Sequence, residues 1–199
     1  DRCLELFDAL GQSAFEADHP HPGLQANSKL VHVEGLGNEI GFYIFDYEPE
    51  FELDIREALE TLTPGLNKER KDLNIEHINL FSFVIDYLAE RKLLDKAIDL
   101  QIKKGDPALL KALDGPLRAE KIAARIRPIA EKADLVLLSG VGSVWPILRT
   151  HTLLNALHPA MGQIPLVMFY PGKYDGQQLI LLNKLPSKHY YRAFQLVPA

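Results

Sequence analysis

The stretch that decides the fold is Leu135-Val136-Leu137-Leu138-Ser139-Gly140-Val141-Gly142-Ser143. Its first four residues form a short, entirely apolar run, which is typical of a strand buried on both faces of a parallel sheet. The two glycines then predict a turn that leads from the strand into the next helix. Pro146 predicts that this helix begins there, because proline is well tolerated at the first helical position.

Outward from this stretch, the pattern alternates between strands and helices. Apolar runs predict strands at 30–33, 42–45, 74–80, 135–138, 165–170, 179–182 and 193–197. Helical spacing of apolar residues predicts helices at 1–16, 51–63, 81–90, 94–104, 107–113 and 116–132. Pro64-Gly65 is predicted to end the second helix. The Asp175-Gly176 turn predicts an antiparallel hairpin between the strands on either side of it.

This alternation predicts an α/β fold. We expect a mainly parallel sheet with helices on both faces, a Rossmann-like three-layer arrangement, with an antiparallel C-terminal edge. The helical segment at about 81–132 is predicted to be an insertion within a single α/β domain spanning 1–199.

Composition excludes several classes of protein. Of the 199 residues, 47% are hydrophobic and 25% charged, which excludes a largely disordered or collagen-like chain. The lone cysteine, Cys3, excludes a disulfide scaffold and indicates a reducing compartment. No secretory signal is visible and no apolar run reaches the ~20 residues that a membrane helix needs. We therefore expect a cytoplasmic protein that does not enter a membrane.

The formal net charge of -5 does not favour nucleic-acid binding by the whole surface. A local concentration of basic residues nevertheless occurs in the helical segment, interspersed with acids. Its members are Lys103, Lys104, Lys111, Arg118, Lys121, Arg125, Arg127 and Lys132. We interpret them as a solvated helix face, with a DNA- or RNA-contacting surface as the alternative.

The glycine turn is a candidate phosphate-binding site. Backbone N–H groups of Gly140 and Gly142, followed by a helix, could face an anion. However, no Gly-Lys-Ser/Thr follows, and Trp145 stands where a dinucleotide-binding loop has its third glycine. Arg149 could bind a carboxylate or phosphate, and His151 could relay a proton. The alternative is a structural turn in which both side chains hydrogen-bond to neighbouring loops.

Two other strand ends carry special residues. Asp46 and Glu48 follow one strand, where acids often bind metal or act as bases. Tyr170-Pro171-Gly172 follows another, with Asp175 just beyond. If these strands are parallel, their ends share one edge with Gly140, where ligands of open α/β sheets bind. No recognised metal spacing or catalytic motif is present, so we predict no metal, no cofactor and no catalytic set, and a capped turn is the alternative for Asp46.

The segment before the last strand contains Tyr190, Tyr191 and Arg192. Tyrosine and arginine are favoured at protein interfaces. They can also stack on single-stranded bases. Ordinary packing at a sheet edge is the third alternative.

Four stretches of the chain form an unusual combination of motifs. They are 42–49, 138–151 with Leu153-Leu154-Asn155, 165–176, and Tyr190-Tyr191-Arg192-Ala193-Phe194. In these motifs, and from about residue 42 to the C-terminus except for the helical middle at about 92–132, the chain resembles the BrxB family of bacterial BREX phage-resistance systems.

The resemblance implies a function in phage defence within a multiprotein assembly. The partners that it implies are other BREX proteins, and the alkaline-phosphatase-like protein PglZ is the most specific expectation; DNA would be contacted only through the complex. The leading hypothesis is a non-catalytic bridging subunit. A degenerate nucleotide- or phosphate-binding domain and a DNA-contacting subunit are the alternatives.

Overall fold

The computed structural model describes residues 41–187 and 193–196. The predicted helix at 1–16, the predicted strand at 30–33 and the segment Tyr190-Tyr191-Arg192 lie outside the described residues.

Five strands form the main sheet, in the order β2-β3-β4-β1-β7, and every pair in it is parallel. They are β1 (Phe42–Tyr47), β2 (Ile75–Asn79), β3 (Leu135–Ser139), β4 (Leu166–Tyr174) and β7 (Phe194–Gln195). The predicted parallel sheet is thus confirmed.

The second half of β4 leaves the parallel sheet and forms the predicted antiparallel hairpin. It pairs with β5 (Leu179–Leu181), which in turn pairs with β6 (Leu185–Pro186). The final strand, β7, lies beside β1 at the opposite edge from β2, and its direction is parallel to β1.

In the described part of the chain, five α-helices connect the strands. They are α1 (Glu52–Glu69), α2 (Leu80–Glu90), α3 (Leu94–Asp114), α4 (Ala119–Ala130) and α5 (Thr150–Met161). The predicted helical segment between β2 and β3 is therefore confirmed. α3 is kinked at Gly105, whose φ of 75° is left-handed, so the predicted boundary between the helices at 94–104 and 107–113 is also present.

Helices cover both faces of the sheet. Strand residues alternate between the faces, so Leu137 of β3 packs on one side and Leu138 on the other. α1 covers the first side with Leu59 and Leu66. α2, α4 and α5 cover the second side, where Ile122 is fully buried. The two apolar layers bury β3 on both faces, as its unbroken apolar sequence predicts.

Two predicted helix boundaries are wrong. α1 continues through Pro64-Gly65 to Glu69, because Leu66 is buried beneath the sheet and holds the last turns in place. After β3, residues 140–148 form turns, and the helix begins only at Thr150. Burial of Val141, Val144 and Leu148 anchors these turns, so Pro146 does not begin the helix as predicted.

Candidate functional site

The carboxyl ends of β1, β3 and β4 meet at one edge of the sheet, as expected for parallel strands. Asp46 of β1 lies opposite Tyr170 of β4, and Leu138 of β3 lies opposite Met168 of β4. We call this edge the carboxyl rim; it comprises residues 46–48, 79–82, 139–149, 170–172 and 182–184. α2 and α5 begin on the side of the rim next to β2 and β3.

Asp46 is engaged within the protein. One carboxylate oxygen accepts a hydrogen bond from the backbone N–H of Tyr174 at 2.9 Å. The other accepts one from the side-chain amide of Gln195 at 3.2 Å. The carboxylate therefore connects β1, β4 and β7, which is a structural function that the sequence analysis considered only as a capped turn.

The two glycines of the loop after β3 are closely packed. Gly140 has a left-handed φ of 73°, and a methyl group added there would lie 2.8 Å from the side-chain oxygen of Asn79. One added at Gly142 would lie 2.9 Å from Cγ of Pro171. The space in front of each glycine is thus occupied by the protein, and neither glycine opens towards a ligand on that side.

The loop also lacks the helix start that an anion-binding turn requires. Its N–H groups are not the first turn of a helix, because α5 begins at Thr150. The N–H of Ser143 instead donates to the carbonyl of Gly140 at 3.2 Å. This geometry supports the structural-turn interpretation and gives the phosphate-binding interpretation no support.

Two further candidate site residues, Gly172 and Asp175, lie in the β4–β5 hairpin. Gly172 has a φ of 145°, and any side chain there would collide with the carbonyl of Ile180. The carboxylate of Asp175 accepts the backbone N–H groups of Gln178 and Gln177, at 2.7 and 2.9 Å. These bonds lower the pKa of Asp175, because they stabilise its charged form. Both residues therefore shape the turn.

The rim tyrosines do not exchange protons near neutral pH. Tyr170 is buried, and burial raises the pKa of its hydroxyl further above the usual value. Tyr47 donates a 2.6 Å hydrogen bond to the carboxylate of Glu52 at the start of α1. Burial, and then this bond to Glu52, raise the pKa of Tyr47 as well.

One polar pair of the rim was missed by the sequence analysis. A ring nitrogen of His77 on β2 lies 2.8 Å from the hydroxyl of Ser139 on β3. Burial lowers the pKa of His77, and the carboxylate of Glu60 partly opposes this effect. Ser139 is only 4% exposed and His77 is half-buried, so the pair links two neighbouring strands. In the sequence, His77 is a single histidine within a strand, and nothing in that pattern predicts its contact with Ser139.

Three large apolar side chains at the rim are exposed to solvent. They are Phe81 (47% exposed), Trp145 (45%) and Leu182 (39%). All three adjoin the glycine loop: an added methyl at Gly140 would lie 3.3 Å from the backbone nitrogen of Phe81, and one at Gly142 would lie 4.0 Å from a side-chain carbon of Leu182. Trp145 follows Gly142 by three residues in the same loop. We call these three residues the apolar rim patch. The sequence analysis used Trp145 only as an argument against pyrophosphate binding.

The two charged candidates lie where α5 begins. Arg149 is exposed, immediately precedes Thr150, and has no side-chain hydrogen bond or ion pair within residues 41–187 and 193–196. His151 is half-buried in the first turn of α5. The arginine is thus directed to solvent beside the loop that carries Trp145.

Some of the basic residues of the helical segment are engaged locally. Arg125 pairs with Glu90, and Arg127 lies 2.8 Å from Glu131. Lys121 donates to the carbonyl of Gly115 at 2.9 Å. These contacts support the interpretation of a solvated helix face rather than a nucleic-acid surface.

The described residues contain neither a metal-binding cluster nor a membrane-spanning helix. No group of three or more His, Cys, Asp or Glu side chains in that part of the chain could hold a metal ion. Among the helices described, none is both long and apolar enough to cross a membrane.

Known proteins are similar to this chain over most of its length, including the carboxyl rim. The family model for BREX protein BrxB matches residues 76–196. A BREX protein BrxB of Bacillus cereus (strain H3081.97) is 43% identical over 172 residues, covering 82% of this chain and 87% of that protein. The chain belongs to the BrxB family. Its relative in Escherichia coli O9:H4 (strain HS) is 45% identical over 172 residues, covering 85% of this chain and 84% of that one. No solved structure gives a significant match.

Membership of the BrxB family confirms the resemblance identified from the motifs. The family match includes the loop of Trp145 and the hairpin of Asp175. It also includes Tyr190, Tyr191 and Arg192, whose interface function stays a prediction because they lie outside the described residues.

Proposed function

We propose that this protein is a non-catalytic assembly subunit of a BREX phage-defence complex, which it bridges in the bacterial cytoplasm. The most specific partner that we propose is the alkaline-phosphatase-like protein PglZ. Contact with DNA is then made by other members of the complex. Similarity to BREX proteins named BrxB supports the BREX part of this proposal.

The composition of the carboxyl rim is the observation that carries the proposal. In an α/β enzyme this edge holds the substrate, and its special residues face a pocket. Here Asp46, Asp175 and the glycines are engaged with the rest of the protein. Phe81, Trp145 and Leu182 reach solvent at this edge, and so does Arg149. Exposed aromatic residues beside an arginine are typical of the central contacts of protein interfaces.

Bridging requires a second contact surface, and the segment at 190–192 is our candidate for it. Two tyrosines and an arginine stand there in succession, directly before β7. β7 forms the edge of the sheet beside β1, whereas Trp145 lies in the loop after β3. Two partners at these places would contact different strand ends, as a bridging subunit requires.

Affinity purification tests the proposal. The tagged full-length protein is purified from its own host, and co-purifying proteins are identified by mass spectrometry. We expect other BREX proteins, with the PglZ-like protein prominent among them. A tagged unrelated protein of similar charge from the same host is the control. Recovery of the protein without any BREX component, with a bound nucleotide in its absorbance spectrum, would overturn the assembly function.

A further inference from the structure

The apolar rim patch lies beside two helix ends that retain positive charge. The first turn of a helix carries partial positive charge from its unpaired N–H groups. α2 begins next to Phe81, where the uncharged Asn79 side chain accepts two of its N–H groups, and α5 begins after Arg149. Neither helix has an acidic residue in its first turn. α1 differs, because Glu52 and Asp54 stand in its first turn and offset this charge. The helix ends beside Phe81 and Arg149 therefore carry no acid of their own that would offset their partial positive charge.

Charged side chains strengthen this asymmetry. Asp46 and Asp175, the acids at the ends of β1 and β4, accept main-chain N–H groups. Glu48 accepts an amide N–H and lies 3.7 Å from a lysine ammonium group. Arg149 and Lys184, in contrast, are exposed and have no side-chain partner in the described part of the chain. The acids of these strand ends thus keep their charge but are held by contacts within the protein, while the two cations remain available.

We propose that the apolar rim patch binds an acidic segment of a BREX partner, in which carboxylates flank an apolar or aromatic side chain. The apolar side chain packs on Phe81, Trp145 and Leu182. A carboxylate binds the Arg149 guanidinium, which can accept it with two parallel hydrogen bonds. This inference rests on the proposed function and adds the chemistry of the segment that the rim recognises.

The charge of the whole protein makes this recognition selective. The formal net charge is -5, so an acidic partner is repelled by most of the surface and attracted only where positive groups are concentrated. Complementary charge of this kind fixes the orientation of a partner and speeds its association. The same reasoning predicts that binding weakens as salt concentration rises.

Charge reversal is the first test. Affinity for the BREX partner that the wild-type chain recovers is measured by biolayer interferometry for the wild type, Arg149→Glu and a control, Lys96→Glu. Lys96 is an exposed cation on α3, outside the rim. We expect at least a tenfold loss of affinity for Arg149→Glu, less than a twofold change for Lys96→Glu, and wild-type affinity that falls between 50 and 300 mM salt. Equal affinity of Arg149→Glu and wild type would refute the inference.

Photo-crosslinking tests the chemistry of the bound segment directly. Ser143 is exposed and lies two residues before Trp145, so Ser143→p-benzoylphenylalanine places a crosslinker at the patch while leaving it intact. We expect a crosslinked partner peptide with Asp or Glu beside a large apolar residue. A crosslinked peptide without acidic residues, or crosslinked nucleic acid, would overturn the inference. Failure of the wild type to recover any BREX protein would instead refute the proposed function.

Discussion

Gly140→Ala tests whether the glycine loop is a packed turn. The left-handed conformation of Gly140, with φ of 73°, costs an alanine about 1–2 kcal/mol. The added methyl group would also lie 2.8 Å from the side-chain oxygen of Asn79. That oxygen accepts the N–H groups of Phe81 and Ser82 and caps α2, and loss of such a cap costs about 1 kcal/mol. The free energy of unfolding should therefore fall by about 2–3 kcal/mol.

Gly176→Ala is the matched control for this variant. Gly176 also has a left-handed φ, of 86°, but an added methyl group there meets nothing within 4 Å. It should lose only the conformational part, about 1–2 kcal/mol. Urea denaturation followed by far-UV circular dichroism measures both variants. Equal destabilisation of the two would show that Asn79 is not displaced, and would refute the reasoning that packing requires Gly140.

Three further predictions concern α1 and β2. Asn67→Ala should lower the free energy of unfolding by about 1–2 kcal/mol, because the Asn67 amide bonds both the N–H and the carbonyl of Ile75 at 2.9 Å; chemical denaturation measures the loss. His77→Gln should reduce the loss of stability between pH 7.5 and 5.5. Burial lowers the pKa of folded His77, so the unfolded chain takes up the proton first, and stability falls as pH drops below about 6.5. Gly65→Ala should raise the free energy of unfolding by about 0.5–1 kcal/mol, since Gly65 lies inside α1 with open space around it.

Each of these results has a contrary outcome. Lys68→Ala, at an exposed neighbouring position, is the control for Asn67→Ala. Equal losses of stability in the two variants would contradict a stabilising contact between Asn67 and Ile75. An unchanged pH dependence in His77→Gln would assign the acid sensitivity to other groups. A destabilised Gly65→Ala would contradict the continuation of α1 beyond Pro64.

Most of the fold could be predicted because its strands carry strong local signals. Residues 135–138 of β3 and 166–170 of β4 are continuous apolar runs, and such runs have few alternatives to a doubly covered parallel strand. The boundaries of α1 and α5 could not be predicted, because tertiary contacts decide them. Burial of Leu66 continues α1 past a proline, and burial of Val141 and Val144 keeps the segment before α5 in turns.

The candidate site was predicted in position but not in chemistry. The sequence placed Asp46, Gly140 and Gly172 at one edge correctly, since parallel strands bring their carboxyl ends together. It could not show that these residues face other parts of the chain, because the partner atoms belong to β5, β7 and Asn79. Exposure of Trp145 was equally hidden, since an apolar residue within an apolar motif is ordinarily expected in the core.

The affinity of the Trp145→Ala variant for the BREX partner tests the central claim most directly. Ile102→Ala is the matched control, because Ile102 is a large exposed apolar residue on α3, outside the rim. Circular dichroism establishes that both variants remain folded. If the carboxyl rim is the docking surface of an assembly subunit, Trp145→Ala should bind at least tenfold more weakly than wild type while Ile102→Ala binds normally. Full affinity of folded Trp145→Ala would contradict the account.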